Sequence, residues 1–260
     1  MQLPWSVPRR ETVPYARLAE IYDYVMRHVD YQLWAEHIDL LLTRARVPRG
    51  PLLEMAAGSG SLSWHLRRLG WAPVLCDLSP QMLRQAAAKF RQRGVSVPMW
   101  VADMCHIATL RRFPAAVCVY DSMNYLLCPE DWALMLQGTA DCLEESGVLV
   151  FDVCTALNSR RNFRHYRERE SGPGFTYTRK SRYVDAIQLQ INQFDIELAS
   201  APGVVFRETH RQRIYSLREV EAMVEASPFF VEASHCDFSL KPGSEQCERV
   251  HFVLRRRGSA

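Results

Sequence analysis

Leu18, Ile21, Tyr22, Val25 and Val29 recur at three- and four-residue intervals, and Trp34, Ile38, Leu41 and Leu42 continue the spacing. That period predicts two amphipathic helices across residues 15–46. "VPRGP" then breaks the chain. From there short apolar runs alternate with helical ones. "LLEMA", "APVLCDLS", "VPMWVADM", "AAVCVYDSMNYL" and "VLVFDVC" read as strands one to five. "SLSWHLRRLG", "PQMLRQAAAKFRQRG" and "DWALMLQGTADCLEESG" read as the helices between them, the second with Pro80 at its first position. Strand–helix alternation through about residue 154 predicts a parallel sheet covered on both faces.

The period changes after residue 175. "FTYTRKSRYV", "IQLQINQFDIELA" and "VVFRETHRQRIYS" alternate apolar and polar positions, the pattern of antiparallel strands. "SLREVEAMVEASPF" returns to helical spacing, with Ser216 and Glu219 placed for a capping box. "FFVEASHCDF" and "ERVHFVLRRR" read as two last strands. The expected divisions are residues 1–50 (N-terminal cap helices), 51–158 (core), 159–215 (basic segment and lid insertion) and 216–260 (final helix and strands completing the core).

Composition adds bounds. The chain has 260 residues, 48% of them hydrophobic, enough for one core with a modest appendage. No run is long and apolar enough to predict a membrane span, and "MQLPWSVPRRETVP" lacks an apolar leader core. The eight cysteines lack paired metal-ligand spacing and several sit in apolar runs, which predicts buried, reduced thiols, no metal site and a cytoplasmic protein. Net charge is +3, but residues 159–182 alone carry eight Arg/Lys against Glu168 and Glu170. That segment is expected to be a solvated loop or the rim of a site that attracts an anion.

Candidate chemistry follows from the strand ends. Glu54, Asp77, Asp103 and Asp121 end predicted strands one to four, so they should share the sheet edge where ligands of open parallel sheets bind. Four acids there would repel phosphate and suit a ligand with hydroxyls, amines or positive charge. Gly58 and Gly60 would let backbone approach it.

"EMAAGSG", "VLCDLSPQML", "VADM", "YDSMNYL" and "VLVFDVCT" resemble, in order, the motifs of class I S-adenosylmethionine-dependent methyltransferases. "LAEIYDYVMRHVDYQLWAEHI" and "ETHRQRIYSLREVEAMVEASPF" resemble the bacterial small-molecule branch. The resemblance implies an α/β fold: a doubly wound, Rossmann-like, seven-stranded sheet whose last strand is antiparallel, with N-terminal cap helices and an inserted antiparallel β lid. It implies Glu54 toward the methionine amino group of S-adenosylmethionine, Gly58 and Gly60 beneath the cofactor, Asp77 on the ribose hydroxyls, and Asp103 and Met104 at adenine. Asp121 falls near the transferred methyl. Ala56 stands where glycine is commoner. Leu78 and Met82 complete the cofactor set, and Tyr22 and Trp34 would close over the methionine end.

The implied activity is in-line methyl transfer to N, O or C of a small molecule, anionic if the basic segment rims its site. Asp121, Tyr125 and His210, in that order, are candidate bases. Arg164 and Arg167 are expected to attract the anion. A homodimer is compatible with the lid. Three other readings stay open: nucleic-acid methylation, suggested only by the basic segment; a non-catalytic cofactor-binding regulator; and a nicotinamide oxidoreductase. Ser63 at the third glycine position and Glu54 near a pyrophosphate argue against the last.

Overall fold

The structure is a computed structural model that describes residues 8–258; the segment before Pro8, the first half of the stretch read as lacking a leader core, lies outside the described residues. In chain order the elements are β1 (Arg9–Thr12), α1 (Leu18–Val25), α2 (Tyr31–Arg44), β2 (Pro51–Glu54), α3 (Ser61–Arg68), β3 (Ala72–Asp77), α4 (Pro80–Gln92), β4 (Met99–Val101), β5 (Phe113–Cys118), α5 (Pro129–Cys142), β6 (Leu143–Cys154) and α6 (Ala156–Asn162). There follow β7 (His165–Gly172), β8 (Phe175–Val184), β9 (Leu189–Leu198), β10 (Val205–Arg213), α7 (Leu217–Glu225), β11 (Phe229–Cys236) and β12 (Arg249–Arg256).

The strands form two sheets. The larger runs β11-β12-β6-β5-β2-β3-β4, with β12 antiparallel to both neighbours and the β2, β3, β4, β5 and β6 pairings parallel. This is the expected seven-stranded sheet with its last strand reversed. The smaller runs β1-β10-β9-β8-β7 and is antiparallel except for the β1–β10 pair.

Local chemistry explains the boundaries. Ser79 accepts from Met82 N at 3.2 Å and Pro80 opens α4. Ser216 and Glu219 cap α7 reciprocally. Gly60 begins α3 at φ +71°, and a Cβ there would lie 2.9 Å from the Phe90 ring. Trp132, Met135, Phe151, Phe229 and Phe252 fill one face of the large sheet, and Ile38, Leu42, Leu66 and Trp71 the other. Each such side chain contributes about 1.5–3 kcal/mol. α1 instead packs Leu18, Ile21 and Val25 on Phe194, Ile196 and Phe206 of the small sheet.

Three expectations need correction. The basic segment is neither a loop nor a single rim: it is the end of α6 followed by the β7–β8 hairpin, so antiparallel structure begins at His165, ten residues early. Charged side chains alternate along β7 and mask the apolar period, because an edge strand leaves one face in water. Residues 1–50 contain a strand as well as helices, because β1 adds to β10. Cys236 and Cys247 are paired in a disulfide, where only reduced thiols were expected. The β11–β12 pairing closes an eleven-residue separation to a Cα–Cα distance of 5.5 Å. The other six cysteines are free. Among the described residues no helix is long and apolar enough to cross a membrane.

Candidate active site

The carboxyl ends of β2, β3 and β5 open into one cavity of about 1290 Å³, roofed by the inner face of the small sheet and by α1. Glu54, Asp77, Asp103 and Asp121 all line it, as do Tyr22, Trp34, Ala56, Gly58, Leu78, Met82, Met104, Tyr125 and His210. Of the residues expected to touch the cofactor or act as base, Gly60 alone does not. Its missing side chain serves the approach of α3 to Phe90 and Ala86 rather than the cavity.

Glu54 is 2% exposed and accepts from Ser63 Oγ at 2.5 Å. Burial pushes its carboxyl up to about 7, against the hydrogen bond from Ser63. It has no cation partner within 4.0 Å among the described residues. Asp77 accepts from Gly58 N on one oxygen and Ser79 N on the other, both at 2.8 Å. Burial raises its pKa and those two N–H groups oppose the rise. Two bonds leave a carboxylate with about two further acceptor positions. Gly58 has φ +57°, and a Cβ there would meet open space. Asp103 also caps the turn that follows it, accepting from Cys105 N at 2.9 Å.

Asp121 is different. It follows Tyr120 in the left-handed region (φ 64° and 50°), a conformation costing roughly 1–2 kcal/mol per residue. Asp121 N donates to Asp152 Oδ2 at 2.9 Å, which anchors the turn. Its carboxylate is already engaged by Arg249 Nη2 and Gln212 Nε2, both at 2.8 Å. Arg249 also binds the fully buried Asp152 and stacks over Trp34 and Tyr120 at 5.1 and 5.3 Å. Trp34 is thus a wall for Arg249 as well as for the cavity. Asp121, placed first among candidate bases, is held as the partner of a cation.

The roof supplies a hydrogen-bonded chain. Tyr125 Oη lies 2.9 Å from His210 Nδ1 and 2.7 Å from Tyr15 Oη. His210 Nε2 lies 3.4 Å from Glu208 Oε2. Glu208 is fully buried and accepts from the backbone N–H of Tyr15, Arg17 and Leu18 at 2.7, 2.6 and 3.0 Å. One carboxylate therefore caps α1 and faces the imidazole. Burial raises the Tyr125 pKa, so its phenol is protonated at neutral pH.

Tyr15, Arg179, Glu208, Gln212 and Arg249 escaped the sequence reading. A signal existed for two of them. Glu208, His210 and Gln212 share one face of β10 at a period of two, and all three are buried. Arg164 and Arg167, expected at the anion rim, are exposed and line no part of the cavity; Arg179 does.

A sheet of this order, with acids at successive strand tips facing one cavity, supports a class I S-adenosylmethionine-dependent methyltransferase, as do the likenesses that follow. Residues 52–147 match the family model of the methyltransferase domain. YqeM of Bacillus subtilis (strain 168), provisionally named a methyltransferase, is 28% identical over 250 residues, covering 93% of this chain and 97% of that one. The dTDP-3-amino-3,4,6-trideoxy-alpha-D-glucopyranose N,N-dimethyltransferase of Streptomyces venezuelae is 31% identical over 138 residues, covering 52% and 56%. The crystal structure of an S-adenosylmethionine-dependent methyltransferase from Clostridium acetobutylicum ATCC 824 superposes with a TM-score of 0.79 at 23% identity, covering 94% and 99%.

The side chains present fit the cofactor of that class. A buried carboxylate without a cation within 4.0 Å among the described residues suits an ammonium, and an acid with spare acceptor positions suits a diol.

Proposed function

We propose that the protein transfers the methyl group of S-adenosylmethionine to a nucleophilic nitrogen, oxygen or carbon of a small molecule held under the small sheet. The observation that carries this reading is that one cavity joins the uncompensated acids Glu54 and Asp77 to the hydrogen-bonded Tyr15–Tyr125–His210 trio. The cofactor supplies a methyl group on a positively charged sulfur, an excellent leaving group. The chain's own work is alignment, exclusion of water and proton handling.

Glu54 receives the ammonium and Asp77 the two ribose hydroxyls. Leu78, Met82 and Met104 offer apolar contact beside Asp103. Tyr15, Tyr22 and Tyr125 cover the cavity from the α1 side. If the acceptor arrives protonated, the Tyr125 oxygen takes its proton while the phenol proton passes to His210 Nδ1. Glu208 then faces the imidazolium. This ordering replaces Asp121 by Tyr125 and His210 as the proton acceptors. The similarity to an amino-sugar N,N-dimethyltransferase supports an amine as nucleophile.

The test is incubation with methyl-labelled S-adenosylmethionine and a panel of small amines, amino sugars and phenols. Label appearing on an acceptor, together with stoichiometric S-adenosylhomocysteine, is the expected result. Tight S-adenosylhomocysteine binding with no transfer to any acceptor would favour a regulator instead.

A further inference from the structure

Arg249 and Arg179 both line the cavity, but only Arg249 has its charge matched there. The Arg179 guanidinium lies between Phe163, Tyr166 and Phe194, with its central carbon 5.2, 5.5 and 5.4 Å from the ring centroids. Nη2 donates to Asn192 Oδ1 at 3.1 Å. Nε is buried with no hydrogen-bond partner. No carboxylate lies within 4.0 Å of it among the described residues. Glu168 sits directly across the β7–β8 ladder, yet its oxygens accept from Tyr166 and Tyr177 hydroxyls.

A guanidinium partly withdrawn from water into an aromatic box, with an unpartnered donor, costs free energy unless something pairs with it. Aromatic faces offset part of that cost but satisfy no N–H. The remaining donors form a planar fork suited to a carboxylate or phosphate.

Position says what the anion belongs to. Phe194 is the ring against which both Arg179 and His210 pack, each at 5.4 Å. The charged fork and the Tyr125–His210 pair are therefore separated by about one aromatic ring. Asn158, Asn162 and Gln190 line the same corner of the cavity.

We infer that Arg179 is the anion subsite of the acceptor pocket: the acceptor is a small amine or alcohol bearing an oxyanion, carboxylate or phosphate, about one ring's width from the atom methylated. The inference rests on the methyltransferase reading above.

Two matched pairs of probes test it by calorimetric titration of protein saturated with S-adenosylhomocysteine: 4-aminobenzoate against 4-aminobenzamide, and glucosamine 6-phosphate against glucosamine. The wild-type chain should bind the anionic member of at least one pair tenfold or more tightly; the pair with the larger ratio distinguishes carboxylate from phosphate. Arg179→Gln should bring that ratio close to one and leave S-adenosylhomocysteine affinity unchanged. Arg179→Lys, which keeps the charge, should retain part of the preference, and it preserves the test if the glutamine variant fails to fold. Glu168→Gln should leave the preference in place. Equal binding of charged and neutral members by wild type, or an unchanged ratio in Arg179→Gln, overturns the subsite. Failure of the wild type to bind S-adenosylhomocysteine instead overturns the reading beneath it.

Discussion

The sheet edge carries two pairs of acids that look alike and behave differently. Glu54 and Asp77, at the tips of β2 and β3, meet Ser63 and two backbone N–H groups, with no cation. Asp121 and Asp152, at β5 and β6, share Arg249, which reaches them from the start of β12. The first pair is the one we propose a ligand completes. The second has its counter-ion inside the fold, and the Asp121 N–H bond to Asp152 anchors a strained turn beside the roof. Acids in a site are thus not interchangeable: whether the counter-charge is internal decides whether a mutation costs stability or binding.

The largest expected effect strikes the self-completed pair. Arg249→Met leaves the buried Asp152 and the half-buried Asp121 without their cation, and should lower unfolding free energy by about 3–5 kcal/mol, seen as an earlier denaturant midpoint. A midpoint near wild type would mean that the two pairs are equivalent after all.

The ligand-awaiting pair should show itself through pH. Glu54 has a folded-state pKa raised to about 7, so its contribution is present in full below its unfolded value and is lost as pH rises through 7. Ligand-free protein should therefore lose on the order of 3 kcal/mol between about pH 4.5 and 7.5 from this group. Glu54→Gln should flatten that slope in thermal melts, and saturating S-adenosylhomocysteine should shrink it in wild type. The same slope in the glutamine variant would count against the assignment.

Asp77→Ala should weaken S-adenosylhomocysteine by about 1.5–3 kcal/mol, the range for hydrogen bonds to a charged group. Unaltered affinity in titration calorimetry would remove Asp77 from the cofactor site. The smallest effect concerns the roof. Tyr125→Phe keeps the ring and should lower kcat by about tenfold to a hundredfold with an acceptor that arrives protonated. Cofactor affinity should hold, and the rate should become more dependent on alkaline pH. An effect confined to KM would leave Tyr125 a wall rather than a proton carrier.

Much of the large sheet was readable because its signals are local. Apolar runs, Pro80, the Ser216–Glu219 box and acids at strand ends lie within a few residues of what they determine. The small sheet was harder. In "LQINQFDIEL" the apolar period marks Leu189 and Ile191, yet the buried face carries Gln190, Asn192, Phe194, Ile196 and Leu198. The register with β8 and β10 is unbroken, so the inner face itself changes from apolar under α1 to polar over the site. A rule that equates buried with apolar reads such a strand in the wrong phase.

By itself, then, the order of residues determined the alternating α/β core, the reversal of its last strand through the family resemblance, and the tip acids, because periodicity, capping and strand-end position act over a few residues. Folding alone decided which acids are neutralised, which arginine enters the cavity, and that Glu208 serves α1 and His210 together. Those outcomes depend on partners up to 193 residues away, such as Tyr15 and Glu208, and no periodicity in the chain encodes a distance of that kind.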